Sequence, residues 1–316
     1  MVNSPRRLTE GALLLAIFAV LLLVTIYVPV LGMVVNLFLS LPFIMFSAKN
    51  NRKSSVLFLI GAIAISLIVG TVLSIPLAIA YGLTGIVIGD FIREKKSRIA
   101  GFIGGGIAFL ISLVGQYAVS VAFFKVDFIK ESMMLMEESI EQSTEMMSAL
   151  GQSPDQAMLE QFQASIAMLE VLIPSLFVMA SFMIVFFIQL LSFPIIKRFG
   201  IEVPKWMPFR ELKLPKSLLW YYLIVLFISL MLNPEEGSYW FTALMNLSFI
   251  LQFFMLLQGL SFIYYLSHRK KLSTFIPVLA TVLTLFIPIF LYIVRLLGII
   301  DLGFDLRKRL EDRTKG

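Results

Sequence analysis

The chain contains no cysteine, which excludes disulfides, thiolate catalysis and cysteine-ligated metal centres. Histidine occurs once, as His268 in "SHRKK". It has no carboxylate near it in sequence, so a solvated loop residue is expected there rather than a metal ligand. Charged residues are scarce, at 15% of 316, against about a quarter in a soluble domain. No Walker-type glycine–lysine loop, HExxH or nucleophile elbow is present, and no span carries a pair of carboxylates. P-loop ATP hydrolysis, zinc peptidase chemistry and serine hydrolase chemistry are thereby excluded. The expectation is a protein that is not an enzyme and that holds no metal and no cofactor.

What is abundant is apolar sequence: 59% of residues are hydrophobic and the mean hydropathy is +0.93. Apolar runs of about 20 residues recur, each long enough to cross a bilayer core of roughly 30 Å. The spacing predicts an all-α polytopic transmembrane bundle. Its first six spans lie at about 8–28, 31–48, 54–70, 74–92, 99–124 and 171–193. The first run is longer than a signal-peptide core and lacks a small-residue cleavage site, so it reads as a retained span.

The net charge of +6 is spread over short loops and is no nucleic-acid signal. Arg6 and Arg7, then Lys49, Arg52 and Lys53, then Arg93, Lys95, Lys96 and Arg98, then Lys197 and Arg198 all fall on one side of the expected membrane. The positive-inside rule puts that side, with the N-terminus, in the cytoplasm.

Past the six-span core (1–196), residues 197–216 are basic and proline-punctuated. They read as a cytoplasmic interfacial segment, with Trp206, Phe209 and the following Trp220 at headgroup level. Residues 217–300 supply C-terminal transmembrane helices: a short span at 218–232, the acidic turn "NPEEGS" outside, and a span at 239–266. In 275–300, Pro277 and Pro288 permit a broken helix or hairpin that returns the basic tail, 301–316, to the cytoplasm. A single span would leave that tail outside. Arg295 is expected to snorkel to the interface or to pair with Asp301 or Asp305.

The insert 125–170 is different in kind. Nine acidic residues face only Lys125 and Lys130, which suits the extracytoplasmic side. Ile129, Met133, Met136, Ile140, Met147 and Leu150 follow helical spacing, and Phe162, Ile166, Leu169 and Ile173 repeat it. "SPDQ" offers a helix start, with Ser153 as cap, Pro154 at the first position and Gln156 in the capping-box place. Gly151 offers a stop for the preceding helix. The expectation is an amphipathic helical hairpin on spans 5 and 6, its second helix continuing into span 6. Its methionines form either the hairpin's own seam or an adaptable binding surface.

Four features remain. "RRLTEGALLLAIFAV" opens span 1 with Thr9 as a helix cap and with Gly11, Ala12, Ala16 and Ala19 as a small-residue stripe. That stripe is either ordinary packing or a partner-docking face. The glycines of "GFIGGG" and "GLTGIVIG" read as close helix packing. Asp90 should pair near Arg93. Neutral polar residues within the first six spans include Asn36, Ser66, Thr71, Tyr81, Gln116, Tyr117, Ser181 and Gln189. Among them Asn36, Tyr81, Gln116, Tyr117 and Ser181 are the candidates for hydrogen-bonding a small-molecule ligand. The alternative for each is interhelical hydrogen bonding.

"RRLTEGALLLAIFAVLLLVTIYVPVLG", "GLTGIVIGD", "PFRELKLPKSLLW" and "LGIIDLGFDLRKR" together resemble the YybS-like family of bacterial integral membrane proteins, which has no settled activity. Residues 6–196, six spans opening on an alanine-rich helix, are similar to the S components of energy-coupling factor (ECF) vitamin transporters. That resemblance implies a small-molecule ligand and separate partners, a transmembrane coupling subunit with its ATPases. In S components an AxxxA face on the first helix contacts the coupling subunit, and Ala12 and Ala16 stand at that spacing. The chain departs from S components in its length, its acidic insert and its C-terminal spans. The second reading is a non-transporting scaffold or sensor that binds partners through the outer hairpin and the basic inner loops.

Overall fold

Inside a bilayer no water is present to take backbone N–H and C=O groups, so each apolar run must close its hydrogen bonds within itself, as a helix does. The computed structural model describes residues 4–151 and 156–312. Among the described residues there are helices and no strands. Seven helical stretches are long and apolar enough to cross a membrane: Arg7–Tyr27, Pro29–Lys49, Arg52–Gly70, Val72–Arg93, Arg98–Phe124, Gln156–Arg198 and Tyr239–Arg269. Two compact units form, one of residues up to Met146 with Leu176–Trp206, the other of Met147–Ser175 with the residues from Met207 onward.

The first unit holds α1 (Ser4–Tyr27), α2 (Pro29–Val35), α3 (Leu41–Lys49), α4 (Arg52–Gly70), α5 (Ile75–Arg93), α6 (Arg98–Val119), most of α7 (Phe128–Ala149) and the end of α8 (Gln156–Arg198). α1 is already helical at Ser4, so Thr9 lies inside it and does not cap it; Ser4-Pro5 is itself a helix-start pair. The second span is not one helix. A 3-10 turn over Asn36–Phe38 separates α2 from α3. Side-chain caps begin two of the spans: Asn51 Oδ1 accepts from Ser54 N, and Ser97 Oγ accepts from Ala100 N. The core runs through Leu14, Phe18, Phe43, Phe58, Ile88, Val185 and Ile188. Phe43 meets the ring edges of Phe18 and Phe58, both at 5.2 Å between centroids.

The glycines of α5 bring it against the backbone of α3. A Cβ at Gly85 would stand 2.7 Å from Ser40 O, and one at Gly89 would stand 2.6 Å from Ile44 O. Small residues here serve close helix packing, as their spacing suggests.

In the insert, α7 ends at Ala149 and Gly151 follows with φ +75°, a conformation that suits glycine. Ser153 and Pro154 lie outside the described residues. α8 is continuous from Gln156 to Arg198, 43 residues. No residue of α7 is buried among the described residues.

The second unit holds the start of α8, a 3-10 turn at Phe209–Glu211, α9 (Ser217–Leu232), α10 (Tyr239–Arg269), α11 (Phe275–Phe286), α12 (Pro288–Phe304) and α13 (Leu306–Asp312). α9, at 16 residues, is about 24 Å long, shorter than a bilayer core. α11 and α12 are bent by 118° at Ile287, which is extended in front of Pro288, as a residue preceding proline prefers.

α12 then runs parallel to α10. A side chain at Gly298 would strike the Met255 carbonyl, and one at Gly259 would strike the Val294 carbonyl. Gln258 of α10 meets Asp301 of α12, and Arg269 at the end of α10 bonds the Leu310 carbonyl of α13. The end of α12 therefore returns to the Arg269 end of α10. Gly259→Leu is expected to destabilise the protein by at least about 2 kcal/mol. Gly115→Leu, with open space around it, should cost well under half of that. Denaturant unfolding in mixed micelles checks both.

Candidate functional site

The α1 stripe divides in two. Gly11 is buried, and a Cβ there would stand 3.2 Å from Phe46 Cε2. Ala19 is half-buried, whereas Ala12 and Ala16 are exposed. The opposite face of the helix, Leu14, Phe18 and Leu22, is buried in the core. Gly11 is thus committed to internal packing, while the Ala12–Ala16 pair is left uncovered by the described residues.

The five ligand candidates mostly bond within the protein. Gln116 Nε2 donates to Pro76 O at 3.0 Å, and the Tyr117 hydroxyl donates to Asp127 Oδ1 at 3.1 Å. Ser181 Oγ donates to Phe177 O, one turn back in its own helix. Tyr81 is buried, with its ring edge-on to Phe109 at 5.4 Å and its carbonyl accepting from Ser40 Oγ. Asn36, on the 3-10 turn of the second span, has a buried Oδ1 with no partner. Tyr117 and Ser181 come together around Phe177, whose ring lies 5.8 Å from that of Tyr117. Gln116 reaches α5 one to two turns before Tyr81. Neither of two cavities in the second unit is lined by any of the five. One, about 290 Å³, lies among Leu172, Tyr222, Leu226 and Gln252; the other, about 180 Å³, lies among Phe209, Arg210, Tyr264 and His268.

Three polar centres carry more chemistry than these. The first is Asp90, which pairs with Arg93 and also with Arg52 Nε at 2.7 Å, while Arg52 Nη2 holds Glu94 at 2.7 Å. Arg52 is exposed, and such pairs contribute little to stability.

The second centre is buried in the other unit. Asp301 Oδ2 accepts from Arg307 Nε at 2.9 Å and from Gln258 Nε2 at 2.5 Å. Their side chains are 1% and 8% exposed for Asp301 and Arg307. Arg307 also donates to Ser261 Oγ and to Arg210 O, Ser261 Oγ donates toward the carbonyls of Phe209 and Leu212, and Gln258 Oε1 accepts from Leu214 N. One network so fastens residues 209–214 to α10, α12 and α13. Next to it, Asp305 binds Lys213 at 2.8 Å and Lys216. Arg295 pairs with neither aspartate, because both are already taken. Its guanidinium instead lies 5.5 Å from the Tyr292 ring centre, and its buried Nε has no partner.

The third centre is Arg98, at the start of α6. It donates to Gln189 Oε1 at 3.4 Å and Gln189 O at 3.2 Å, and lies against the rings of Phe193 and Trp206. By sequence alone Gln189 is a polar residue within a span and Trp206 an interfacial aromatic. The signal that joins them is a basic residue at the start of a span with no acidic residue beside it.

Long apolar helices, glycine-mediated helix contacts and polar networks at span ends define a multi-pass helical membrane protein. The chain belongs to the DUF2232 family, described as a predicted membrane protein, whose model matches residues 16–302. It is 31% identical over 312 residues to "Uncharacterized protein YybS" of Bacillus subtilis (strain 168), covering 98% of this chain and 100% of that protein. No solved structure matches.

Asp301→Asn should leave Arg307 buried without a counter-charge and destabilise the protein by about 3–5 kcal/mol. Asp301→Leu combined with Arg307→Met should recover most of that loss, as read by denaturant unfolding. Asp305 has a different signature. Bonds from Lys213 and Lys216 hold its carboxyl down from 3.8 to about 2. A depressed carboxylate stabilises above its ordinary value and loses that contribution as pH falls. The 213–216 segment should therefore stay docked down to about pH 4 and loosen toward pH 2, measured by pepsin cleavage. Asp305→Asn should remove the step.

Proposed function

We propose that this protein is one subunit of a larger membrane assembly, and that its six-span part, 1–196, works as S components do. In this reading it lies in the bacterial cytoplasmic membrane with its N-terminus in the cytoplasm. It binds a small molecule for uptake and docks a transmembrane coupling subunit, with its ATPases, through α1. The observation that carries the reading is that Ala12 and Ala16 stand exposed one turn apart, on a helix whose opposite face is buried. Small residues let a second helix approach closely in lipid, where packing rather than the hydrophobic effect holds helices together. The docking face narrows to Ala12 and Ala16, with Ala19 at its margin and Gly11 outside it. For the ligand, the unpartnered Asn36 Oδ1 supports a hydrogen-bonding role. Catalysis and a bound cofactor are not part of the reading.

A second reading, a scaffold or sensor, is favoured by one observation: α7 carries apolar side chains and buries none of them, with Met136 and Met147 exposed. The apolar side chains of α7 would then meet an extracytoplasmic partner.

Isolation in mild detergent followed by mass spectrometry of everything retained separates the two. The first reading expects a coupling subunit and ATPases that are lost, at least about tenfold, in the Ala12→Leu, Ala16→Leu double variant. Retention of the same partners by the double variant contradicts it. Loss of partners on deletion of 130–160, with α1 variants silent, selects the second.

A further inference from the structure

The Arg98 centre holds more donors than acceptors: Gln189 Oε1 and O accept from Arg98, and the other donors there are left over. A guanidinium has five N–H donors, and two of them go to Gln189; Arg98 makes no ion pair among the described residues. Gln189 is fully buried, yet its Nε2 has no partner among the described residues. The Trp206 Nε1 is buried and likewise unpartnered, on a ring centred 4.6 Å from Arg98 Cζ. Ser192, fully buried beside Phe193, has an unpartnered Oγ one turn along α8 from Gln189. Leaving a buried donor unpaired costs about 1–3 kcal/mol, and a half-buried cation without a counter-charge adds to that. Other isolated orphans occur, but among the described residues several unpartnered donors lie beside one cation only at Arg98.

We propose that Arg98, Gln189 and Trp206 form a binding site for a phosphate group. Oxygen is the acceptor that all three donors require, and the cation selects an anion. A phosphate presents more acceptor oxygens than a carboxylate does, which suits a guanidinium edge, an amide and an indole N–H together. The rings of Phe193 and Trp206 lie against the guanidinium and strengthen its hydrogen bonds by keeping water away. Arg98 begins a membrane-spanning helix, so the phosphate reaches it at headgroup level, from a lipid or from solution.

The test uses the full chain with Trp220→Phe and Trp240→Phe, both exposed positions, so that Trp206 is the only tryptophan. The protein is placed in phosphatidylcholine nanodiscs with or without phosphatidylglycerol, and Trp206 emission is followed as sodium phosphate is added against sodium chloride of equal ionic strength. A saturable change with inorganic phosphate identifies a soluble source. A change produced only by phosphatidylglycerol identifies a lipid headgroup. In either case Arg98→Gln weakens the response at least about tenfold, and Gln189→Leu weakens it in the same direction. Lys205→Ala, an exposed neighbouring cation, leaves it within about twofold. If Arg98→Gln does not fold, Arg98→Lys replaces it and still weakens binding, because lysine lacks the planar fork. The proposal is overturned if neither probe changes the emission. It is overturned equally if Arg98 and Gln189 variants respond as the parent does, or if Lys205→Ala weakens the response as much as the Arg98 variant.

Discussion

Every polar group that a chain carries into lipid must find its partner within the protein or in something the protein binds. That constraint orders the whole structure. It makes each apolar run a helix, and it places Asn51 and Ser97 as caps where spans begin. It also explains why Asp301 and Arg307 sit at the centre of a network that uses Gln258, Ser261 and three loop carbonyls. Where the constraint is met, the polar residue reads as structural. Where single atoms such as Asp301 Oδ1 and Arg295 Nε are left over, the residue still reads as structural; where Gln189 Nε2 and Trp206 Nε1 are left over beside one cation, the proposed phosphate supplies the partner.

The same logic divides the sequence-based expectations. Helix class and span positions were legible because hydropathy reports directly on burial in lipid. The glycine spacing of α5 was legible too, because only close helix contact gives such a pattern a purpose. Partner choice was not. Arg295, Asp301, Asp305 and Arg307 lie within thirteen residues, and which aspartate meets which cation depends on the parallel course of α12 beside α10. Spacing along the chain carries no trace of that. Thr9 is no cap for a simpler reason: α1 is already helical at Ser4.

Polar residues in spans are a weak guide to a binding site when each is taken alone. Gln116, Tyr117 and Ser181 looked like ligand contacts, and all three hydrogen-bond within the protein. The α1 stripe behaves similarly: one glycine is absorbed by Phe46, and only the alanine pair is left outward. In both cases the useful signal is what remains after internal partners are counted, which a linear pattern does not contain.

The Asp301 network exists only if the C-terminal hairpin returns α12 to the Arg269 end of α10. The absence of native cysteine makes this measurable by single-cysteine labelling in intact cells with a membrane-impermeant maleimide. Lys308→Cys and Lys270→Cys should share one accessibility, opposite to that of Glu236→Cys. Labelling of Lys308→Cys together with Glu236→Cys, and apart from Lys270→Cys, would contradict the account.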